Sequence, residues 1–204
     1  MRFAIARATI VALLGSLLAL GGSTPVVAGA TTEVSVDDYV FEPDRTGVSV
    51  GDSVHWLTDP EALSEHNVRE EGGIFRSGDE SLSVDYTVTF SAGTFNYFCE
   101  PHLGWDMVGV VRVPATVSAA PAGLPFTARW ATPETDSGRK FDVSYRVGGG
   151  SWKVWKHSTT GLKGVFGKSG KPAAVRAGRT YSFKVRSRGS GTVSAWSPVA
   201  SFRP

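Results

Sequence analysis

Met107 lies eight positions after Cys99, and once the initiator methionine is set aside these are the chain's one methionine and one cysteine. His102 stands between them, so the run Cys99-Glu100-Pro101-His102-Leu103-Gly104-Trp105-Asp106-Met107 has the form C-x2-H-x4-M. Upstream, His66 stands in Glu65-His66-Asn67-Val68. Taken singly, each residue has an ordinary reading: Cys99 as a buried core thiol, His66 as a loop residue, Met107 as a gap-filler. Taken together they are one thiolate, two imidazoles and one thioether. The two sulfur donors stabilise monovalent copper, and imidazole suits the divalent ion as well. A trigonal His2Cys set with a weak axial Met therefore accepts both oxidation states, and little rearrangement separates them. Structural zinc sites prefer four Cys or His ligands, which fits this set less well.

Such a set has to be held by a scaffold, and from Thr31 to about Pro114 the sequence reads as short strands between turns. Val48, Val50, Val54 and Trp56 alternate around a Gly51-Asp52 turn, and Val84, Tyr86, Val88 and Phe90 repeat the period of two. Phe95 to Phe98 and Val108 to Val113 supply two more strands, the first preceded by a Ser91-Ala92-Gly93 turn. Nothing here carries a 3.6-residue period with caps, so an all-β fold built from antiparallel Greek-key sandwiches is expected.

Residues 33 to 113 resemble the cupredoxins of the plastocyanin and pseudoazurin kind. The landmarks are Tyr39-Val40-Phe41-Glu42-Pro43, Val48 through Trp56, His66-Asn67-Val68, Gly93-Thr94-Phe95-Asn96-Tyr97-Phe98-Cys99 and Met107-Val108-Gly109-Val110-Val111. The resemblance implies one type 1 (blue) copper with His66, Cys99, His102 and Met107 as ligands, both histidines binding through Nδ1. It implies that Asn67, behind the ligands, tethers the two ligand loops together. It also implies electron exchange at a solvent edge of His102, inside an apolar rim of Pro101, Leu103, Gly104 and Trp105. Plastocyanins carry tyrosine immediately before the ligand cysteine; here that residue is Phe98, so their second, remote exit is not expected.

Ala115 to Pro125, rich in Ala, Pro, Ser and Gly, reads as a linker or an irregular leading strand, and strand patterns resume at Phe126 to Trp130, Phe141 to Val147, Trp152 to Trp155 and Tyr181 to Val185. These segments, with Val193-Ser194-Ala195-Trp196-Ser197-Pro198, resemble a fibronectin type III domain, Tyr181 falling at its tyrosine corner. The expected division is a signal peptide over 1–30, a cupredoxin domain over 31–115, a linker over 116–121 and a fibronectin type III-like domain over 122–204. The signal rests on Arg2 and Arg7, an apolar run from Ile10 to Leu20, and Ala28-Gly29-Ala30 as cleavage site. Export to the cell envelope or beyond is therefore expected, and no second hydrophobic span follows.

The formal net charge of +2 conceals a division. Between Thr31 and Ala115 stand sixteen acidic and four basic residues; from Thr116 onward, three acidic and fifteen basic. A basic second half predicts attraction to an anionic cell-surface polymer, while redox donor and acceptor proteins are the partners expected of the first. No nucleic-acid motif occurs. His55 alternates with inward Val54 and Trp56 and should face solvent; His157 reads as a surface residue. Copper oxidases and nitrite reductases need additional His-rich centres. With four histidines in all, two already in the ligand set, the chain cannot supply a trinuclear cluster, and a type 2 site shared across an oligomer stays open without a motif behind it. The expectation is a secreted one-electron carrier rather than an enzyme. The same residues leave open a surface-interaction protein on a cupredoxin scaffold and an extracellular copper sequestrant.

Overall fold

The computed structural model describes residues 29–135, 138–189 and 191–204. The expected signal peptide therefore lies outside the described residues, except for Gly29 and Ala30. Eight strands form the N-terminal half: β1 (Thr31–Asp37), β2 (Val40–Glu42), β3 (Arg45–Gly47), β4 (Ser53–Thr58), β5 (Arg69–Glu70), β6 (Asp85–Thr89), β7 (Gly93–Phe98) and β8 (Val108–Val113). Seven follow: β9 (Thr116–Val117), β10 (Phe126–Arg129), β11 (Lys140–Val147), β12 (Lys153–Thr159), β13 (Lys163–Phe166), β14 (Tyr181–Arg188) and β15 (Ala200–Phe202). Among the described residues, helix is confined to three single 3-10 turns.

The N-terminal strands make two four-stranded sheets, ordered β2-β1-β4-β6 and β3-β8-β7-β5. Their inner faces follow from the period of two: Val34 and Val36 from β1, Val54 and Trp56 from β4, Phe95 and Tyr97 from β7, Val111 and Val113 from β8 are all buried. Trp56 is the hub, with its ring 5.2 Å from Tyr97 and 5.6 Å from Phe75. Two pairings, β1 with β4 and β3 with β8, run parallel, and the remainder are antiparallel. Parallel neighbours need a crossover between them, and alternation along one strand carries no signal of that.

The C-terminal strands form sheets ordered β13-β10-β9 and β12-β11-β14-β15 around Trp130, Phe141, Phe166, Tyr181 and Phe183. One boundary needs correction. Thr116 and Val117, expected in a linker, are strand β9, paired with Arg129 and Ala128 of β10. Of the two readings of this stretch, an irregular leading strand describes its start, and pairing with β10 defines it.

The two sandwiches are docked. Thr94 and Ala195 exchange both backbone hydrogen bonds at 3.1 Å, the Ala92 amide donates to Trp130 O at 2.7 Å, and Ser91 and Ser187 hydroxyls meet at 2.8 Å in a buried position. Ala92 and Ala115 are buried in the C-terminal core, and Val50 packs against both cores. This junction gathers at the Gly93 end of β7. Cys99 follows the other end, about 17 Å away at the usual strand rise.

Candidate metal centre

Strand β7, buried at every second residue, delivers Cys99 into the turn that leads to β8. The turn is tightly wound: His102 N donates to Cys99 O, Met107 N to His102 O, and Cys99 N to Met107 O at 3.0 Å. A single 3-10 turn, Leu103–Trp105, closes at Asp106 in the left-handed region (φ 58°). His66 arrives from a separate loop, fixed by reciprocal backbone bonds to Ser81.

The ring nitrogens converge on the sulfur. Cys99 Sγ lies 3.8 Å from His66 Nδ1 and 3.6 Å from His102 Nδ1. Among the described residues, His66, Cys99 and His102 are the one group of three or more His, Cys or acidic side chains close enough to share an ion. All three are buried, as is Met107, whose backbone is bonded to both Cys99 and His102. Ligand bonds of about 2.0–2.3 Å at a trigonal angle would separate nitrogen and sulfur by about 3.8 Å, which is the spacing present. His66 Nε2 is fully enclosed without a hydrogen bond; its nearest acceptor, Asp38 Oδ1, stands 3.5 Å away. That carboxylate is in turn held by the Leu63 and Ser64 amides.

Burial pushes the Cys99 thiol above its ordinary range, aided by the charges of Glu80 and Glu100, against donation from the Asn67 and His102 amides. Burial, with His102 beside it, lowers His66, although Asp38 opposes the shift. Without metal, then, the pocket favours a neutral thiol and a neutral imidazole, and metal entry must displace the thiol proton.

Asn67 and Glu100 form a layer outside the ligands. Glu100 accepts from Asn67 Nδ2 at 2.7 Å, from Arg76 at 2.8 Å and from Arg69, while its own amide donates to Asn67 Oδ1. Arg69 and Arg76, acting with Asn67 against the burial cost, hold the Glu100 carboxyl below the usual carboxylate range. Asn67 thus bonds Glu100, the residue after Cys99, through both ends of its amide, and the two arginines hold the same carboxylate.

His102 keeps only 7% of its surface exposed. Tyr39 meets its ring edge-on at 4.9 Å, Trp105 lies at 5.9 Å, and the two aromatic rings are 5.2 Å apart. Trp105 is 65% exposed, and Leu103, Pro101, Gly104, Val40 and Val108 are exposed too. An apolar rim therefore surrounds a histidine edge that is narrow, not open. Tyr39 was missed in the sequence because it sits sixty positions upstream. Its clue was the Asp37-Asp38-Tyr39 turn, where Tyr39 adopts φ 67°, a conformation uncommon for any side chain other than glycine. The remaining histidines lie outside this cluster. His55, half-buried, bonds Asp85 at 2.8 Å, and His157, exposed, faces Arg188 and Asp142.

Fold and donor set together define a copper-binding β-sandwich. The chain belongs to the copper-binding proteins of the plastocyanin/azurin family, whose profile matches residues 28–114. It is 35% identical over 123 residues to the chloroplast plastocyanin of Tetradesmus obliquus, covering 53% of this chain and 80% of that protein. The plastocyanin of Prochlorothrix hollandica is 28% identical over 124 residues, covering 55% of this chain and 92% of its own. Among solved structures, native pseudoazurin from Hyphomicrobium denitrificans superposes with a TM-score of 0.33 at 26% identity, covering 41% of this chain and 75% of its own.

Proposed function

We propose that the protein is an exported one-electron carrier holding a single type 1 copper through His66, Cys99, His102 and Met107. The observation that carries this reading is the convergence of two Nδ1 atoms on one buried sulfur at 3.6 and 3.8 Å. Bound copper would supply a one-electron couple between its divalent and monovalent forms. The chain does the rest. The Asn67–Glu100 link fixes the spacing between the two ligand loops, so the donor set is pre-shaped before metal arrives. His66, Cys99, His102 and Met107 are all buried, so the donor set is shielded from bulk water. Tyr39 and Trp105 cover the His102 ring, so a partner docking there would touch aromatic carbon a few ångströms from the imidazole. Similarity to plastocyanins supports redox proteins as those partners. The basic start and apolar run before Ala30 support export.

Residues 122–204, led in by strand β9, act on this reading as a fibronectin type III-like positioning module. Support comes from the strand order, three on four, and from the Tyr181 hydroxyl. It donates to Ala174 O at 3.1 Å and accepts from the Arg176 amide at 2.7 Å, as a tyrosine corner does.

The deciding experiment is titration with copper followed by voltammetry. One equivalent should bind and give an intense blue colour that Cys99→Ser abolishes. Reversible electron exchange at an electrode is expected. A protein that binds copper yet is redox-silent would be a sequestrant, and one that binds none would be a scaffold.

A further inference from the structure

The outer face of the β12-β11-β14-β15 sheet carries a row of cations stacked on tryptophans. Tyr145 on β11, with Phe183 and Val185 on β14, points into the core, so Arg146, Lys184 and Arg186 are turned outward. The Arg146 guanidinium lies 4.8 Å from the centre of the Trp152 ring. The Lys184 ammonium sits between two indoles, 4.8 Å from Trp152 and 4.6 Å from Trp196. Arg186 covers Trp196 at 4.8 Å, and Arg188 continues the row. Outward positions on one strand recur about every 7 Å, so β14 presents its three cations as an evenly spaced line.

Charge on this face is incompletely neutralised. Asp142 is its acid, and its carboxylate already accepts from Arg186, twice from Arg188 and from the Ser158 amide. That fills the sites a carboxylate offers. Among the described residues, neither Arg146 nor Lys184 has a carboxylate partner; each is held by indole faces alone. Stacking fixes the long stems, and both residues stay partly exposed, although Arg146 Nε is buried and has no hydrogen-bond partner. An incoming anion would then meet cations whose rotamer freedom has already been spent.

We propose that this face binds a linear polyanion, one carrying closely spaced phosphate or sulfate groups on a flexible chain. The open sheet suits an extended chain, and the line of cations supplies repeated contacts instead of one pocket. The sign of the two sandwiches sets the orientation. Fifteen basic residues against three acidic ones draw the C-terminal half to the polymer, and sixteen acidic against four basic repel the other half. Because the sandwiches are docked at the Gly93 end of β7, the Cys99 end is left facing away from the junction. The inference deepens the reading of the C-terminal sandwich as a positioning module and does not depend on copper.

The test uses the full mature chain, metal-free and copper-loaded, binding long-chain inorganic polyphosphate at low salt, with orthophosphate at equal total phosphate as competitor. Arg146→Gln/Lys184→Gln is compared with Lys163→Gln/Lys168→Gln, which removes the same charge from outside this face. The first pair should bind about tenfold more weakly and the second within about twofold of the parent, each surface charge contributing modestly. Orthophosphate should not compete, and copper should make no difference. Circular dichroism melts check that both variants fold. Equal losses in the two variants would reduce the effect to net charge and overturn the proposal, as would absence of binding or displacement by orthophosphate. A protein that ignores polyphosphate yet stays blue and electroactive would lose this inference alone.

Discussion

Asn67 and Glu100 are joined twice: Asn67 Oδ1 accepts from the Glu100 amide at 2.9 Å, and Asn67 Nδ2 donates to Glu100 Oε2 at 2.7 Å. Each residue directly follows a proposed ligand, His66 and Cys99. One amide side chain thus sets the distance between loops thirty-three positions apart in sequence. Asn67→Ala removes both bonds and leaves the Glu100 amide without its acceptor. Copper affinity should fall by about 10- to 100-fold, the usual cost of losing a partner behind a ligand. Glu100→Gln keeps the amide bond but loses the charged pairs to Arg69 and Arg76, so its loss should be smaller. Competition with a chelator of known affinity measures both. Equal affinity in parent and Asn67→Ala would show that the loops hold their spacing without the link.

Gly109 lies opposite Tyr97 on the neighbouring strand, and a Cβ there would fall 2.3 Å from the tyrosine ring. Tyr97 cannot retreat easily, because Phe41 and Trp56 enclose it and its phenol is buried deeply enough to push its pKa up to about 12. Gly109→Ala should therefore destabilise the N-terminal sandwich by about 1–3 kcal/mol, as overpacking does. Since Tyr97 and Cys99 share one strand exit, the copper spectrum should shift as well. Denaturant melts and an absorption spectrum report the two effects separately. An unchanged melt would mean the ring has room that the packing does not indicate.

Part of this architecture was open to reading from the residues alone, and the divide has a physical reason. Val108–Val113 matches strand β8 end to end because alternation is a local property of one strand. The four donors were legible because ligand chemistry is set by side-chain type, and three of the donors stand in one nine-residue run. Tyr39, Arg69 and Arg76 reach the site only through tertiary packing, and only Tyr39 carries a local mark, its turn after Asp37-Asp38. The parallel pairing of β1 with β4 is non-local in the same sense. Trp152 could be noticed as a tryptophan beside lysine, yet its cations come from Arg146 and Lys184 on other segments.

The junction predicts coupling between the sandwiches. Ser187 donates to Ala92 O at 3.1 Å and meets Ser91 Oγ, all buried. Ser187→Ala would strand both partners, at a cost of about 1–3 kcal/mol. In the parent, copper should raise the melting of both halves together. At a thousandfold excess over Kd the gain is about 4 kcal/mol, and it is shared if unfolding is a single event. In Ser187→Ala the calorimetric peak should broaden or split, with copper moving one component more than the other. Two separate transitions in the parent, only one of them copper-sensitive, would show that the contacts at Thr94 and Ala195 do not couple the halves.

Asp142 makes the acid stability of the C-terminal sandwich a separate test. Burial by itself would raise this carboxyl, but Arg188, the Ser158 amide and Arg186 outweigh it and hold it well below the usual carboxylate range. The folded-state pKa is therefore depressed relative to the unfolded chain, where an aspartate titrates near about 3.9. Its stabilisation is present in full above that value and drains away as pH falls from there toward the folded pKa. Asp142→Asn leaves Arg186 and Arg188 facing a neutral group, so at neutral pH the variant should be less stable by about 2–3 kcal/mol, below the range for a fully enclosed pair. Both guanidiniums retain some solvent contact, which is why the figure is reduced. The gap between parent and variant should stay constant from pH 7 down to about 5 and narrow progressively below about 4. Urea melts at stepped pH values give the curve. A gap that widens on acidification would mean that Asp142 is protonated more readily in the folded protein than in the unfolded one, and that the two arginines do not control it.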